Sequence, residues 1–156
     1  MKKLLSLGIV ILVFATTSIS MLAQVNGAHQ SGDRSVEGLL VGAWRLVSLE
    51  QPGADGKVQK ADCTGMFVFS AEGQVSVQVM YRNQTGSNDY AQGGYEASFG
   101  RYKIDDSRTF TFHVDGALVR TLIGKDLKRV YELSGNQLTV KSADPSEHWR
   151  VVWERY

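Results

Sequence analysis

The sequence predicts an all-β fold, a single antiparallel up-and-down β-barrel of about eight to nine strands over residues 39–156. From Leu39 onward, short runs rich in Val, Thr, Phe and Tyr alternate with Gly, Asp, Asn and Ser clusters, at a spacing close to the roughly 8 to 12 residues of sandwiches and barrels. No segment carries three turns of helical periodicity. With no helix to cover a face, a sheet this long in so short a chain is best satisfied by closing on itself, which buries one face and removes the edges.

Residues 1–23 (MKKLLSLGIVILVFATTSISMLA) precede the barrel with two lysines, an apolar run from Leu4 to Ala15 and a Thr- and Ser-rich end. That is the three-part pattern of a secretory signal peptide. Its apolar core is about a dozen residues, short of the roughly 20 a bilayer-spanning helix needs, so cleavage is expected rather than a stable membrane anchor. The cut is expected between Ser20 and Ala28, and the absence of a cysteine there speaks against lipidation. Residues 24–38, with His29 among them, have few apolar positions and read as a flexible tail. The expected location is secreted or periplasmic.

The expected strands are 42–50, 65–69, 74–81, 95–104, 108–115, 118–123, 127–133, 137–142 and 148–155. Asp115-Gly116 suits a primed hairpin turn, where positive φ is required, and Ser134-Gly135-Asn136 and Ala71-Glu72-Gly73 suit slightly longer loops. Residues two apart share a face. Phe110, Phe112 and Val114 thus oppose Thr111, His113 and Asp115, while Trp149, Val151, Trp153 and Arg155 lie together. In 74–81 either face fits the interior: Val75, Val77, Val79 and Tyr81 are apolar, while Ser76, Gln78 and Met80 suit a polar-lined cavity. In 127–133 the apolar face of Leu127, Tyr131 and Leu133 also holds Arg129. The polar, Gly-rich stretch 82–97 is placed over one mouth of the barrel, as a lid or as a surface loop.

Gly42-Ala43-Trp44 opens the first strand as the G-x-W motif does in lipocalins, and the chain ends Trp153-Glu154-Arg155. Together with GMFVFSAEGQVSVQVM, FGRYKIDDSRTFTFHVDG and VYELSGNQLTV, these segments make the chain resemble the bacterial lipocalin-like domain family from Leu39 to Arg155. The resemblance implies that Arg155 packs across Trp44 and closes the barrel bottom by a cation–π contact beside Gly42. Where members of that family often carry two adjacent histidines, this sequence has Phe112-His113.

The chain contains 17 Lys+Arg against 16 Asp+Glu, and removing Lys2 and Lys3 with the leader leaves 15 against 16. No basic surplus marks a nucleic-acid or anionic-lipid partner. One cysteine, Cys63, allows no internal disulfide, and three scattered histidines do not make a metal site. No nucleophile elbow, zinc-protease motif or phosphate loop is present, so no catalytic residue, metal or cofactor is predicted. Arg129 on an apolar face must be paired or reach an anion. It pairs with Glu96 or Glu132, or it binds a ligand carboxylate together with Tyr102 and Tyr131. Gln78, Met80 and His113 complete the candidate ligand-binding set, with His113 also readable as a surface residue. The expected function is binding of a small apolar or amphipathic molecule inside the barrel. The alternatives are an isomerase- or cyclase-type enzyme using Tyr102, His113 and Arg129, and a solid-core structural or interaction barrel.

Overall fold

The computed structural model describes residues 38–53, 55–83 and 86–156. The leader and nearly all of the tail, with His29, lie outside the described residues. Nine strands follow in order: β1 (Gly42–Pro52), β2 (Val58–Lys60), β3 (Cys63–Phe69), β4 (Gln74–Tyr81), β5 (Tyr95–Ile104), β6 (Thr109–Ala117), β7 (Asp126–Ser134), β8 (Gln137–Ser142) and β9 (Arg150–Arg155). Each strand from β3 to β8 pairs antiparallel with the next, and β1 pairs with both β3 and β9, closing an eight-stranded barrel. The short β2, which carries no alternation to betray it, adds to the far end of β1 by pairing Glu50–Pro52 with Lys60–Val58.

Two expectations about the β6 region are corrected. Asp115-Gly116 is no turn: both residues belong to β6, and Gly116 pairs with Phe99 across a register shift beside Gly100. The glycines serve close approach instead. A Cβ on Gly100 would sit 2.0 Å from the His113 carbonyl oxygen, and one on Gly116 would sit 2.5 Å from the Phe99 ring. The chain then reverses through residues 118–125, where a strand was expected over 118–123. A single 3₁₀ turn, Arg120–Leu122, occupies its place. Of the apolar residues there, Leu122 alone is buried, while Leu118 and Ile123 stay exposed, so no alternating face exists for a strand to bury.

One half of the barrel interior is filled. Phe69 stacks edge-on against Tyr102 and Phe110, and Phe110 meets Tyr131. Beneath them Arg155 lies over the Trp44 ring with 4.2 Å to its centroid, and donates to the Val41 and Leu39 carbonyls at 2.7 and 2.6 Å. Trp44 Nε1 donates to the Leu40 carbonyl at 2.9 Å. Gly42 has φ +136°, and a Cβ there would lie 2.5 Å from Arg155 Nη1, so a glycine is what lets the guanidinium seat.

Candidate functional site

The other half of the barrel is hollow. A cavity of about 90 Å³ opens at the end opposite Trp44, with Phe67, Val77, Phe112, Val140, Val151 and Trp153 forming wall and floor. Occupancy by one water takes roughly 10–15 Å³, so the space suits several waters or a compact organic group. Its mouth is polar and aromatic, made by Asn88, Tyr90, Glu96, Arg129 and Trp149.

Strand alternation delivers Arg129 to this mouth, on the same face of β7 as Leu127 and Tyr131. The guanidinium is buried and lies 5.3 Å from the Tyr90 ring centroid and 5.0 Å from that of Trp149. Its hydrogen bonds to the Lys128 carbonyl and Ser142 Oγ measure 3.4 and 3.5 Å, and Glu147 Oε2 stands 3.9 Å away. Glu147 is held more closely by others. Tyr90 donates its hydroxyl to the carboxylate at 2.7 Å, and Trp149 Nε1 donates at 2.9 Å. Desolvation works to raise the Glu147 pKa, yet the hydrogen bonds from Tyr90, Trp149 and Ser142 and the Arg129 charge outweigh it and keep the carboxyl below its ordinary range. Burial pushes the Tyr90 hydroxyl up to about 12.

The loop between β4 and β5 supplies Tyr90. Asn88 Oδ1 accepts from the Tyr90 and Ala91 backbone N–H groups at 2.8 and 2.7 Å, fixing a tight bend that buries Ala91 and sets Tyr90 over the mouth. Glu96, next in line, begins the inward face of β5 and lines the cavity. Among the described residues its carboxyl makes no hydrogen bond or close ion pair. Desolvation lifts its carboxyl to about 7, with Arg129 pulling it back.

The structure separates the predicted site residues. Arg129 lines the cavity, but Tyr102 and Tyr131 belong to the filled half, corrected here because each hydroxyl is directed to backbone at the closed end: Tyr102 to the Ser70 carbonyl at 3.0 Å, Tyr131 to that of Asp106 at 3.4 Å. Gln78 and Met80 face outward, because Val75, Val77, Val79 and Tyr81 take the interior. His113 also lies outside, its Nδ1 2.6 Å from Asp126 Oδ1 and its Nε2 3.6 Å from Asp115 Oδ1. The barrel wall therefore stands between His113 and the interior Tyr102, and Tyr102, His113 and Arg129 do not meet at one site. Glu132 is exposed, so of the two expected partners Glu96 shares the cavity with Arg129, while the nearest carboxylate is Glu147.

Glu147, Tyr90 and Trp149 as an aromatic and acidic frame for Arg129 were not read from sequence. The inward parity of Trp149 with Trp153 was a usable signal for one of them; Tyr90 and Glu147 sit on loops with no periodicity to place them. Cys63 is half-buried beside Ala61, and burial, followed by the charge of Asp62, raises its thiol pKa. Among the described residues no group of three or more His, Cys, Asp or Glu side chains is arranged to hold a metal.

A family model described as a lipocalin-like domain matches residues 41–156. Among solved structures, similarity is found to an uncharacterized protein from Bacteroides eggerthii DSM 20697, 20% identical, covering 75% of this chain and 99% of that one with a TM-score of 0.47. A lipocalin-like protein from Bacteroides uniformis ATCC 8492 is 17% identical over 75% of this chain and 98% of that one, with a TM-score of 0.47. The lipoprotein YedD from Klebsiella pneumoniae subsp. pneumoniae MGH 78578 is 14% identical over 75% of this chain and 71% of that one, with a TM-score of 0.42. No curated protein matches the chain.

Proposed function

The chain belongs to the lipocalin-like domain family, and from that membership we propose that it holds a small amphipathic molecule in the cavity at the open end of its barrel. The apolar body packs against Phe67, Phe112 and Val140, and an anionic or acceptor group meets Arg129. The observation that carries this reading is the state of the Arg129 side chain. It is buried at the polar and aromatic mouth of the cavity, against the rings of Tyr90 and Trp149, yet its hydrogen bonds to the Lys128 carbonyl and Ser142 Oγ and its approach to the nearest carboxylate are all at 3.4 Å or more. A guanidinium offers five N–H donors in a fork suited to carboxylates, and close partners would be expected if its role were structural alone.

Replacing Arg129 by Met keeps most of the apolar stem and removes the charge. Arg129→Met is expected to stay folded and to bind a compact anionic amphipathic probe such as 4-isopropylbenzoate, followed by the fluorescence of the cavity tryptophans, about tenfold or more weakly, in line with a hydrogen bond to a charged group. Fluorescence titration and circular dichroism read the two quantities. Undiminished probe binding by the variant would remove Arg129 as the anchor. A wild-type protein that binds no such probe, and that carries no small molecule in native mass spectrometry when purified from its source, would remove the cavity as a binding site.

The same proposal includes export to a secreted or periplasmic location, supported by the lysines, apolar run and small residues of 1–23. Intact-mass measurement of protein from the extracytoplasmic fraction is expected to give a new N-terminus between Ser20 and Ala28. An unprocessed chain confined to the cytoplasm would overturn it.

A further inference from the structure

Glu96 gives the mouth of the cavity a second recognition point. Its parity in β5 is that of Ser98, Tyr102 and Ile104, all buried, while Phe99, Arg101 and Lys103 face outward, so its side chain enters the barrel. There it lines the cavity together with Arg129, Tyr90 and Trp149. The residue is half-buried. Among the described residues the one buried side-chain polar atom without a partner is Trp153 Nε1, so the unbonded Glu96 oxygens are open to the cavity space. The neighbouring acid is engaged differently. Glu147 accepts from Tyr90 and Trp149 at 2.7 and 2.9 Å, and it stands 3.9 Å from Arg129, offsetting that charge. Glu96 is left as an acceptor without a donor, beside a guanidinium whose charge reaches its carboxyl.

We infer that the ligand of this cavity carries a hydrogen-bond donor, a hydroxyl or an ammonium, close to its anionic group, and that this donor goes to the Glu96 carboxyl. This rests on the binding function proposed above and deepens it by naming the head group. The charge count of the mouth favours it. A plain organic anion on Arg129 would bring a third acid to Glu96 and Glu147 around one guanidinium, and an ionised Glu96 would repel it. A donor beside the anion turns the same carboxyl into a partner, because a carboxyl oxygen accepts in either protonation state and an ammonium pairs with the ionised form. The ligand class is thus a hydroxy or amino acid with a compact apolar side chain, its anion on Arg129 and its donor on Glu96. Loss of the donor leaves Glu96 unpaired in a partly dehydrated site, so the mouth discriminates against the simple carboxylic acid of the same skeleton.

Three acids of one skeleton separate the possibilities: 4-methylpentanoate, 2-hydroxy-4-methylpentanoate and leucine carry hydrogen, hydroxyl and ammonium at the same carbon. Their displacement of 4-isopropylbenzoate from the wild-type protein, expressed from the full chain, is followed by tryptophan fluorescence. At about pH 8 the hydroxy acid is expected to bind about three- to tenfold more tightly than 4-methylpentanoate, and leucine about tenfold or more, the ranges of neutral and charged hydrogen bonds. The pH trend is the second readout. Of the groups facing the Glu96 carboxyl, Arg129 of β7 keeps its charge, and burial holds the protons on Tyr81 of β4, Cys63 of β3 and Tyr90 across the mouth. Glu147 stays ionised beside Arg129, and the Glu96 carboxyl stands at about 7. Leucine affinity is expected to rise from about pH 6 to 8, because its ammonium favours release of the Glu96 proton, and 4-methylpentanoate affinity to fall, because its anion favours retention. In Glu96→Met the three acids are expected to bind alike, without opposed pH trends. Equal binding of the three to the wild type, tightest binding of 4-methylpentanoate, or no displacement by any of them overturns the inference and leaves the pocket intact, since 4-isopropylbenzoate still binds. A preference for leucine that survives in Glu96→Met overturns it equally. If 4-isopropylbenzoate and the three acids all leave the tryptophan fluorescence unchanged, the binding function falls with it. Because affinities and pH trends are read in the wild-type protein, the test does not depend on how well the variant folds.

Discussion

An ionised Glu96 is disfavoured inside the cavity: its carboxyl, ordinarily at 4.5, stands at about 7 because desolvation outweighs the attraction of Arg129. Around it are Arg129 from β7, Tyr81 from β4 and Cys63 from β3, and the last two have their own protons held more tightly by burial first and by the Glu96 charge among lesser causes. Below about pH 4.5 the carboxyl is protonated in both the folded and the unfolded chain, so it contributes no pH dependence there. Between 4.5 and about 7 the unfolded chain releases the proton while the folded one keeps it, so stability falls as pH rises, and above 7 the full penalty remains. Glu96→Gln is therefore expected to match the wild type near pH 4 and to exceed it near pH 8 by about 1–3 kcal/mol, at roughly 1.4 kcal/mol per pKa unit and reduced for partial solvation through the mouth. Urea midpoints at the two pH values measure the difference. A variant no more stable than wild type at pH 8 would show that the carboxyl is hydrated in place. Arg129 stood out in the sequence because a charge on an apolar face breaks the two-residue alternation. Its real neighbours did not, because Tyr90 and Glu147 reach it from loops whose path is set by local hydrogen bonds such as those of Asn88.

Among the elements, β6 shows what alternation and turn chemistry can mislead about. Asp115-Gly116 has the composition of a hairpin turn, yet the same glycine suits a place where an aromatic side chain from the preceding strand covers the backbone. Which of the two applies depends on Phe99, seventeen residues earlier, and no local window contains it. Eight of the nine strands were legible at the level of existence, because period-2 patterns survive wherever one face is buried; β2 was not, being three exposed residues with neither face inside. The register shift at Gly100 bends β5 and β6 round the barrel, and it leaves the His113 carbonyl where a side chain would otherwise stand. Gly100→Ala is expected to cost roughly 1–3 kcal/mol in urea unfolding, because backbone rather than a movable side chain must give way. Gly86→Ala, where nothing among the described residues lies within 4 Å of the new methyl, serves as the control and is expected to change stability by less than about 0.5 kcal/mol. Equal effects in the two would mean that the bulge relaxes freely.

At the scale of the whole molecule the barrel is neither a solid core nor a deep cup. Its lower half is packed by rings that meet edge-on, and its upper half keeps a cavity framed by the only inward-facing guanidinium above the Trp44 end among the described residues. Closure was legible because nine candidate strands and no helix leave few other ways to hide a face. The division into filled and hollow halves was not, since Phe112 and Phe110 look alike in sequence, and only the neighbouring strands decide which of them meets a partner ring and which meets empty space. The clasp between Arg155 and the carbonyls of Val41 and Leu39 joins positions 114 and 116 residues apart. β9 emerges from the ribosome after every other strand, and until it does the sheet has two open edges and no seal under Trp44. The chain therefore has no complete partial fold to rest in during synthesis: folding waits on its last segment, and a message cut short of β9 yields a sticky, open sheet rather than a smaller barrel.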